Sequence, residues 1–253
     1  MTLFRKSALI TGSSSGIGFA YANYLLEQGW SLDLVSHDRE RSERAEKKLN
    51  NPMVRSHLFD LSQPNQIKEL IKVIPTPDLL IANAGITKYG LAGSFSSEDK
   101  IQMFYLLCGG VIDLIEGYLA EMKKKDASRI IIISSIAALT PMPKSSIYAS
   151  AKTGIYAYSR SLSKELEKSK LKVTVSLPGY VKTNAHKRAG LDHLEKQIPS
   201  WMWISPEQVV KETEIASLKG KTQIIPGIVY RLVRPMLNWS LATRIWNQLS
   251  KRK

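Results

Sequence analysis

The segment "SSIYASAKTG" places Tyr148 and Lys152 four positions apart, a spacing that puts both side chains on one face of a helix. A free phenol has a pKa of about 10 and is a weak acid–base group at neutral pH. A cation within about 4–6 Å favours the phenolate and lowers that value. Such a pair could give a proton to a carbonyl oxygen as hydride reaches the carbon, or take it back in the reverse direction, and the lysine could also hold the ribose hydroxyls of a nicotinamide cofactor. Taken alone the spacing is equally that of two neighbours on a helix surface. Ser135 lies thirteen residues before Tyr148 in "IIIISSIAAL", just past an apolar run, where open α/β sheets carry their ligands. Ser134 reads as part of the turn that ends that run.

A second constellation is "ALITGSSSGIGFA", with Gly12, Gly16 and Gly18 around Ser14 at a strand-to-helix junction. Glycines there let the backbone turn tightly and approach a pyrophosphate, whose charge is stabilised by free N–H groups at the helix N-terminus. The spacing is G-x-x-x-G-x-G, not the general dinucleotide fingerprint, and it lacks the lysine of a P-loop. No metal site is expected: Cys108 is the only cysteine, and His37 has no second His or Cys at useful spacing.

These residues need elements to hold them. Short apolar runs alternate with helical patterns, as βαβ units require. Strands are predicted at 7–11, 31–35, 54–59, 79–82, 129–134, 173–177 and 222–225, and helices at 18–28, 40–49, 67–73, 101–124, 147–167 and 206–219. "RIIIIS" reads as a central strand buried on both faces. The expected fold class is α/β: a doubly wound Rossmann fold with a seven-stranded parallel sheet and helices on both faces. Residues 1–253 read as one domain, with 183–205 a substrate-loop insertion and 228–253 a basic amphipathic tail.

With these motifs in order, the chain resembles the short-chain dehydrogenase/reductase family. Its nucleotide turn T-G-x-x-x-G-I-G is matched by Thr11, Gly12, Gly16, Ile17 and Gly18, its N-A-G by Asn83, Ala84 and Gly85, and its P-G-x-V-x-T by Pro178, Gly179, Val181 and Thr183. The resemblance implies that Ser135 polarises a substrate carbonyl, Tyr148 is the acid–base group and Lys152 assists it. It also implies that Asp60 and Leu61 face the adenine, and that the Pro178 segment binds the nicotinamide half. The expected reaction is NAD(P)(H)-dependent interconversion of a carbonyl and an alcohol. A cofactor-binding sensor or scaffold with little turnover is the alternative, because Leu107 stands where the family has an asparagine that maintains a helix kink and a water of the proton relay. Gly109 and Gly110 are expected to permit that distortion.

At the end of the second predicted strand, "LDLVSHDRER" has Ser36 where NAD-specific members of the family carry an acid. His37 and Arg39 are expected to meet a 2′-phosphate, so NADP(H) is favoured over NAD(H); Asp38 argues the other way. Leu191, Leu194, Ile198, Trp201, Met202 and Trp203 in the insertion point to a hydrophobic small-molecule carbonyl or alcohol substrate, or else to a subunit contact. A homodimer or homotetramer is expected.

The net charge is +14, and no Asp or Glu follows Glu214 while eight Lys and Arg do. Leu232, Met236, Trp239, Leu241, Ile245, Trp246 and Leu249, with Arg231, Arg234 and Arg244 among them, suit peripheral contact with an anionic membrane as well as a docked terminal helix. Nucleic acid is not an expected partner, since no recognised binding module occurs. A single cysteine and an N-terminus whose apolar stretch is broken by Arg5 and Lys6 point to a cytoplasmic protein.

Overall fold

The computed structural model describes residues 5–183 and 198–234. The chain runs β1 (Ser7–Thr11), α1 (Gly16–Leu26), β2 (Ser31–Ser36), α2 (Arg39–Leu49), β3 (Val54–Leu58), α3 (Pro64–Val73), β4 (Leu79–Ala82) and α4 (Ser97–Phe104). It continues through α5 (Gly110–Lys124), β5 (Ser128–Ile133), α6 (Ser146–Glu165), β6 (Leu171–Ser176), β7 (Tyr180–Val181), β8 (Trp203–Ile204), α7 (Pro206–Leu218), β9 (Gln223–Ile224) and α8 (Ile228–Val233). The predicted strands are present, with ends moved by a residue or two.

Among the described residues these strands form a seven-stranded sheet in the order β3-β2-β1-β4-β5-β6-β9, parallel at every pairing. β5 shows why "RIIII" must be central. Ile130 and Ile132 enter one hydrophobic cluster and Ile131 and Ile133 the other, so the two faces of the strand serve two cores under two helix layers. After β1 the chain winds outward to β2 and β3, then returns to start β4 on the other side of β1. The crevice beyond the C-terminal ends of β1 and β4 is therefore a topological switch point, the place where such sheets bind ligands.

The helix predicted without a break over 101–124 is interrupted. A π turn over Tyr105–Gly109 separates α4 from α5. Gly110 fits there because a Cβ would lie 2.9 Å from Ile67 Cδ1 and 3.0 Å from the Leu61 carbonyl oxygen. By length and composition the run Ser97–Lys124 could cross a membrane, yet Met103, Leu107, Leu114, Ile115, Tyr118 and Met122 bury its inner face in the core.

β7 and β8 pair through Tyr180↔Trp203 and Val181↔Ile204, closing the two ends of the predicted 183–205 insertion on each other. Leu191 and Leu194 of that insertion, and residues 235–253 of the tail, lie outside the described residues.

Candidate active site

The glycine turn follows β1. Gly12 and Gly16 have φ of +65° and +58°, a left-handed backbone that favours glycine. A Cβ on Gly12 would also lie 2.8 Å from Ala84 Cα. Ser15, at the N-cap of α1, makes no side-chain cap hydrogen bond, and no acid occupies the first turn. The first-turn N–H groups and the positive end of α1 thus open toward the switch point, the combination that attracts a phosphate.

That crevice is a cleft of about 590 Å³. Its walls bring together most of the residues singled out in the sequence: Gly12, Ser14, Gly16 and Ile17 of the turn, His37 after β2, Asp60 and Leu61 after β3, and Asn83, Ala84 and Gly85 after β4. Ser135 follows β5, Tyr148 and Lys152 stand on α6, and Pro178, Gly179, Val181 and Thr183 follow β6.

Three expected cofactor contacts fall elsewhere. Thr11 is buried, and its hydroxyl accepts the N–H groups of Asn83 (2.9 Å) and Ala84 (3.0 Å), so it joins β1 to the end of β4. Gly18 is a packing position, since a Cβ would meet the Gly12 carbonyl oxygen at 2.4 Å. Arg39 is exposed at the first position of α2 and does not line the cleft. Arg41 does. The Asp38 carboxylate caps α2 by accepting the Arg41 N–H at 2.9 Å and pairs with the Arg41 guanidinium at 2.8 Å, which occupies the acid that could have served a ribose hydroxyl. Arg41 Nε is buried without a hydrogen-bond partner. The sequence signal for Arg41 was the Asp-x-x-Arg spacing of an N-cap acid and the third helical residue.

At the catalytic end, Ser134 Oγ donates to the Lys152 carbonyl oxygen at 2.9 Å and is structural, as its place in the turn implied. Ser135 Oγ accepts the Ala137 N–H at 3.1 Å, which leaves the hydroxyl proton available to a ligand oxygen. Lys152 is buried; its Nζ donates to the Ile133 carbonyl oxygen at 2.9 Å and stands 5.9 Å from the Tyr148 ring centroid. Burial pulls its pKa down to about 8, with Cys108 acting in the opposite sense. Leu107 is buried in the π turn and lines the cleft. Its Cδ2 would be 3.0 Å from a Cβ on Gly85, a point 4.0 Å from Lys152 Nζ, so the leucine walls the lysine's surroundings. The distortion is made without an asparagine.

The cleft also has polar walls the sequence reading did not single out: Thr87, Lys88, Gln102, whose amide donates to Ser62 Oγ at 3.2 Å beside Asp60 and Leu61, and Ser145. Lys88 is paired with Asp99. In the insertion, Ile198 and Met202 are spent in the core, Trp203 packs on Tyr180 at 5.5 Å between ring centroids, and Trp201 faces outward.

Comparison with known proteins agrees with this geometry. The family described as short chain dehydrogenase matches residues 6–193. The 3-oxoacyl-[acyl-carrier-protein] reductase of Chlamydia trachomatis is 29% identical over 233 residues, 88% of this chain and 94% of that protein. Among solved structures, a short-chain dehydrogenase from Sphingobium yanoikuyae in complex with NADPH superposes with a TM-score of 0.80 at 23% identity, covering 97% of this chain and 95% of that one. A short chain dehydrogenase/reductase from Burkholderia phymatum in complex with NAD gives 0.82 at 20% identity, covering 98% and 96%. With its fold, its ordered motifs and this match over most of its length, the chain belongs to the short-chain dehydrogenase/reductase family of oxidoreductases.

Proposed function

We propose that the protein is a nicotinamide-dependent reductase or dehydrogenase that interconverts a carbonyl and an alcohol, with Ser135, Tyr148 and Lys152 as its catalytic residues. The observation that carries this reading is the meeting of those three side chains in the cleft that also opens onto the glycine turn and the N-terminus of α1. The turn fits a pyrophosphate, because Gly12 and Gly16 hold the left-handed backbone that a tight turn needs and the N-cap of α1 leaves its first-turn donors without a side-chain cap. A nicotinamide bound in the cleft supplies or accepts the hydride. Tyr148 gives its phenolic proton to the carbonyl oxygen, and the Ser135 hydroxyl donates a hydrogen bond to the same atom, stabilising the charge that develops there. The Lys152 ammonium favours the phenolate that Tyr148 becomes. In the alcohol-to-carbonyl direction each proton moves the opposite way.

NADP(H) is the cofactor we favour. Arg41 Nε, buried and lacking a partner, offers a charged donor beside His37 and Ser36 in the cleft, where a 2′-phosphate oxygen would satisfy it. The fold itself does not choose, since one solved relative holds NADPH and another NAD. For the substrate we favour a hydrophobic carbonyl compound that carries a polar acyl group, such as a 3-oxoacyl thioester. The polar walls at Thr87 and Ser145 and the named activity of the Chlamydia relative support that class. A cytoplasmic homodimer or homotetramer completes the reading.

The test is loss of nicotinamide absorbance with NADPH and NADH over a panel of ketones and 3-oxoacyl thioesters. We expect turnover with NADPH, and a fall of roughly 10²–10⁴-fold in kcat for Tyr148→Phe with cofactor binding retained. Binding of cofactor without turnover of any carbonyl, equal in wild type and Tyr148→Phe, would show a sensor rather than an enzyme.

A further inference from the structure

The π turn over Tyr105–Gly109 is where the α4–α5 run meets the catalytic helix beside Lys152. Leu107 walls the lysine, and Cys108 lies against α6 two residues further on, its Sγ 2.9 Å from where a Cβ on Gly154 would stand. Both are buried, and the Cys108 thiol and the Lys152 ammonium are close enough to influence each other's charge. A π turn is rare inside an α-helix and has a local cause that holds it. Leu107, standing where the family has an asparagine, offers no hydrogen bond for the purpose.

Tyr105, the first residue of the turn, and Asp113, in the first turn of α5, are joined across it: the Tyr105 hydroxyl donates to Asp113 Oδ2 at 2.5 Å. Eight residues of regular α-helix rise about 12 Å, and side chains there lean back toward the N-terminus, so a straight helix does not offer this contact. The ring reaches forward because Gly109 and Gly110 leave a track for it. A Cβ on Gly109 would lie 3.0 Å from its Cδ2, and one on Gly110 3.1 Å from its Cε1. Burial and then the Asp113 carboxylate push the phenol pKa up, so the group keeps its proton and donates. A hydroxyl held by a carboxylate at this distance makes a charge-assisted bond, moderated here by the exposure of Asp113.

We propose that Tyr105 and Asp113 are positioning residues of the active site: their bond, laid over Gly109 and Gly110, clamps the π turn in the form that sets Leu107 and Cys108 against α6 beside Lys152. The pair takes over the kink-holding part of the asparagine that this chain lacks, and it does so from the solvent side of the helix, with no hydrogen bond to the lysine. That the clamped surroundings serve catalysis rests on the function proposed above. The clamp itself is measured without turnover.

Cys108 is the only cysteine in the chain, so the rate at which N-ethylmaleimide labels the folded full-length protein reads the state of the turn. Tyr105→Phe and Asp113→Ala are each expected to label roughly fivefold faster than the wild type, and the double variant no faster than either. Asp113→Asn, whose amide oxygen still accepts the phenol proton, should stay within about twofold of the wild type. In the two faster variants the alkaline limb of kcat/KM should move upward by roughly half a pH unit, because a looser wall hydrates the Lys152 ammonium. The subunit number is expected to stay that of the wild type. Wild-type labelling rates in Tyr105→Phe and Asp113→Ala would overturn the proposal. So would Asp113→Asn labelling as fast as Asp113→Ala, which would assign the effect to the charge at the start of α5, and so would dissociated subunits or an unmoved alkaline limb in the faster variants. If the variants label as expected but the wild type reduces no carbonyl, the proposed function fails and the clamp stands.

Discussion

Arg41 and Lys152 are the residues on which the chemistry turns most sharply. The Asp38 carboxylate, used as the cap of α2, draws the Arg41 side chain back over the cleft. Arg41→Ala is expected to weaken NADPH binding by roughly ten- to hundredfold, the loss of a charged hydrogen bond, and NADH binding far less. Titration of cofactor fluorescence measures both, and an equal loss would remove the 2′-phosphate from the account. Lys152 is charged below about 8 and loses its proton above, so the support it gives Tyr148, and with it kcat/KM, should fall as pH rises through that value. Leu107 contributes to the burial that sets it. Leu107→Asn places an amide in the dry wall and eases the ammonium's desolvation, which raises the lysine pKa toward its ordinary value. We expect activity to be retained and the alkaline limb of the pH profile to move upward; an unchanged profile would show that position 107 plays no part in the relay.

At the scale of elements, the edge strand β3 depends on a charge buried in its neighbour. Asp33 of β2 accepts from Arg55 Nε (2.9 Å) and Nη2 (2.8 Å) and from His57 at 2.8 Å, both on β3. Burial acts to raise the Asp33 pKa, but the His57 and Arg55 hydrogen bonds prevail and hold it below its ordinary value. A carboxylate with a lowered folded-state pKa contributes stability in full above its unfolded value and loses it as pH falls through the folded one. Asp33→Asn should therefore cost about 1–2 kcal/mol at neutral pH, limited by the exposure of Arg55, and the difference should vanish in acid. Urea unfolding at several pH values reads this, and a difference independent of pH would contradict it. Because β3 leads into Asp60 and Leu61, this pairing also positions one wall of the cleft.

For the whole molecule, the cleft exists because the winding order reverses between β1 and β4, which leaves the ends of six strands and the N-terminus of α1 facing one space. The opposite concern is surface left uncovered. Ile101 and Phe104 on α4 are 69% and 44% exposed, apolar surface that we propose as a contact of the homodimer or homotetramer. Ile101→Asp with Phe104→Asp should lower the mass measured by sedimentation equilibrium from that of a homodimer or homotetramer to that of a monomer. A wild type that sediments as a monomer would exclude this role for α4.

The sequence by itself determined the sheet and most of the cleft. Short β-branched runs separated by amphipathic periods admit little but a wound parallel sheet, and the glycine turn, Asn83, Ser135, Tyr148 and Lys152 follow strands whose ends must converge. Tertiary structure decided the rest, because each remaining question depended on direction in space rather than on residue type. Thr11 and Gly18 match the nucleotide turn, yet the closeness of β4 turns one into a strap and the other into a packing gap. Arg39 and Arg41 are equally basic, and only the Asp38 cap sends the second toward the cleft. Trp201 was expected over a substrate or against a partner subunit, and with Met202 buried and Trp203 packed on Tyr180 the turn leaves its side chain exposed. Periodicity could not foresee the π turn at Tyr105–Gly109 in an otherwise regular helix, and the close approach of Ile67 and Leu61, which leaves no room for a Cβ at the adjoining Gly110, shows only in three dimensions.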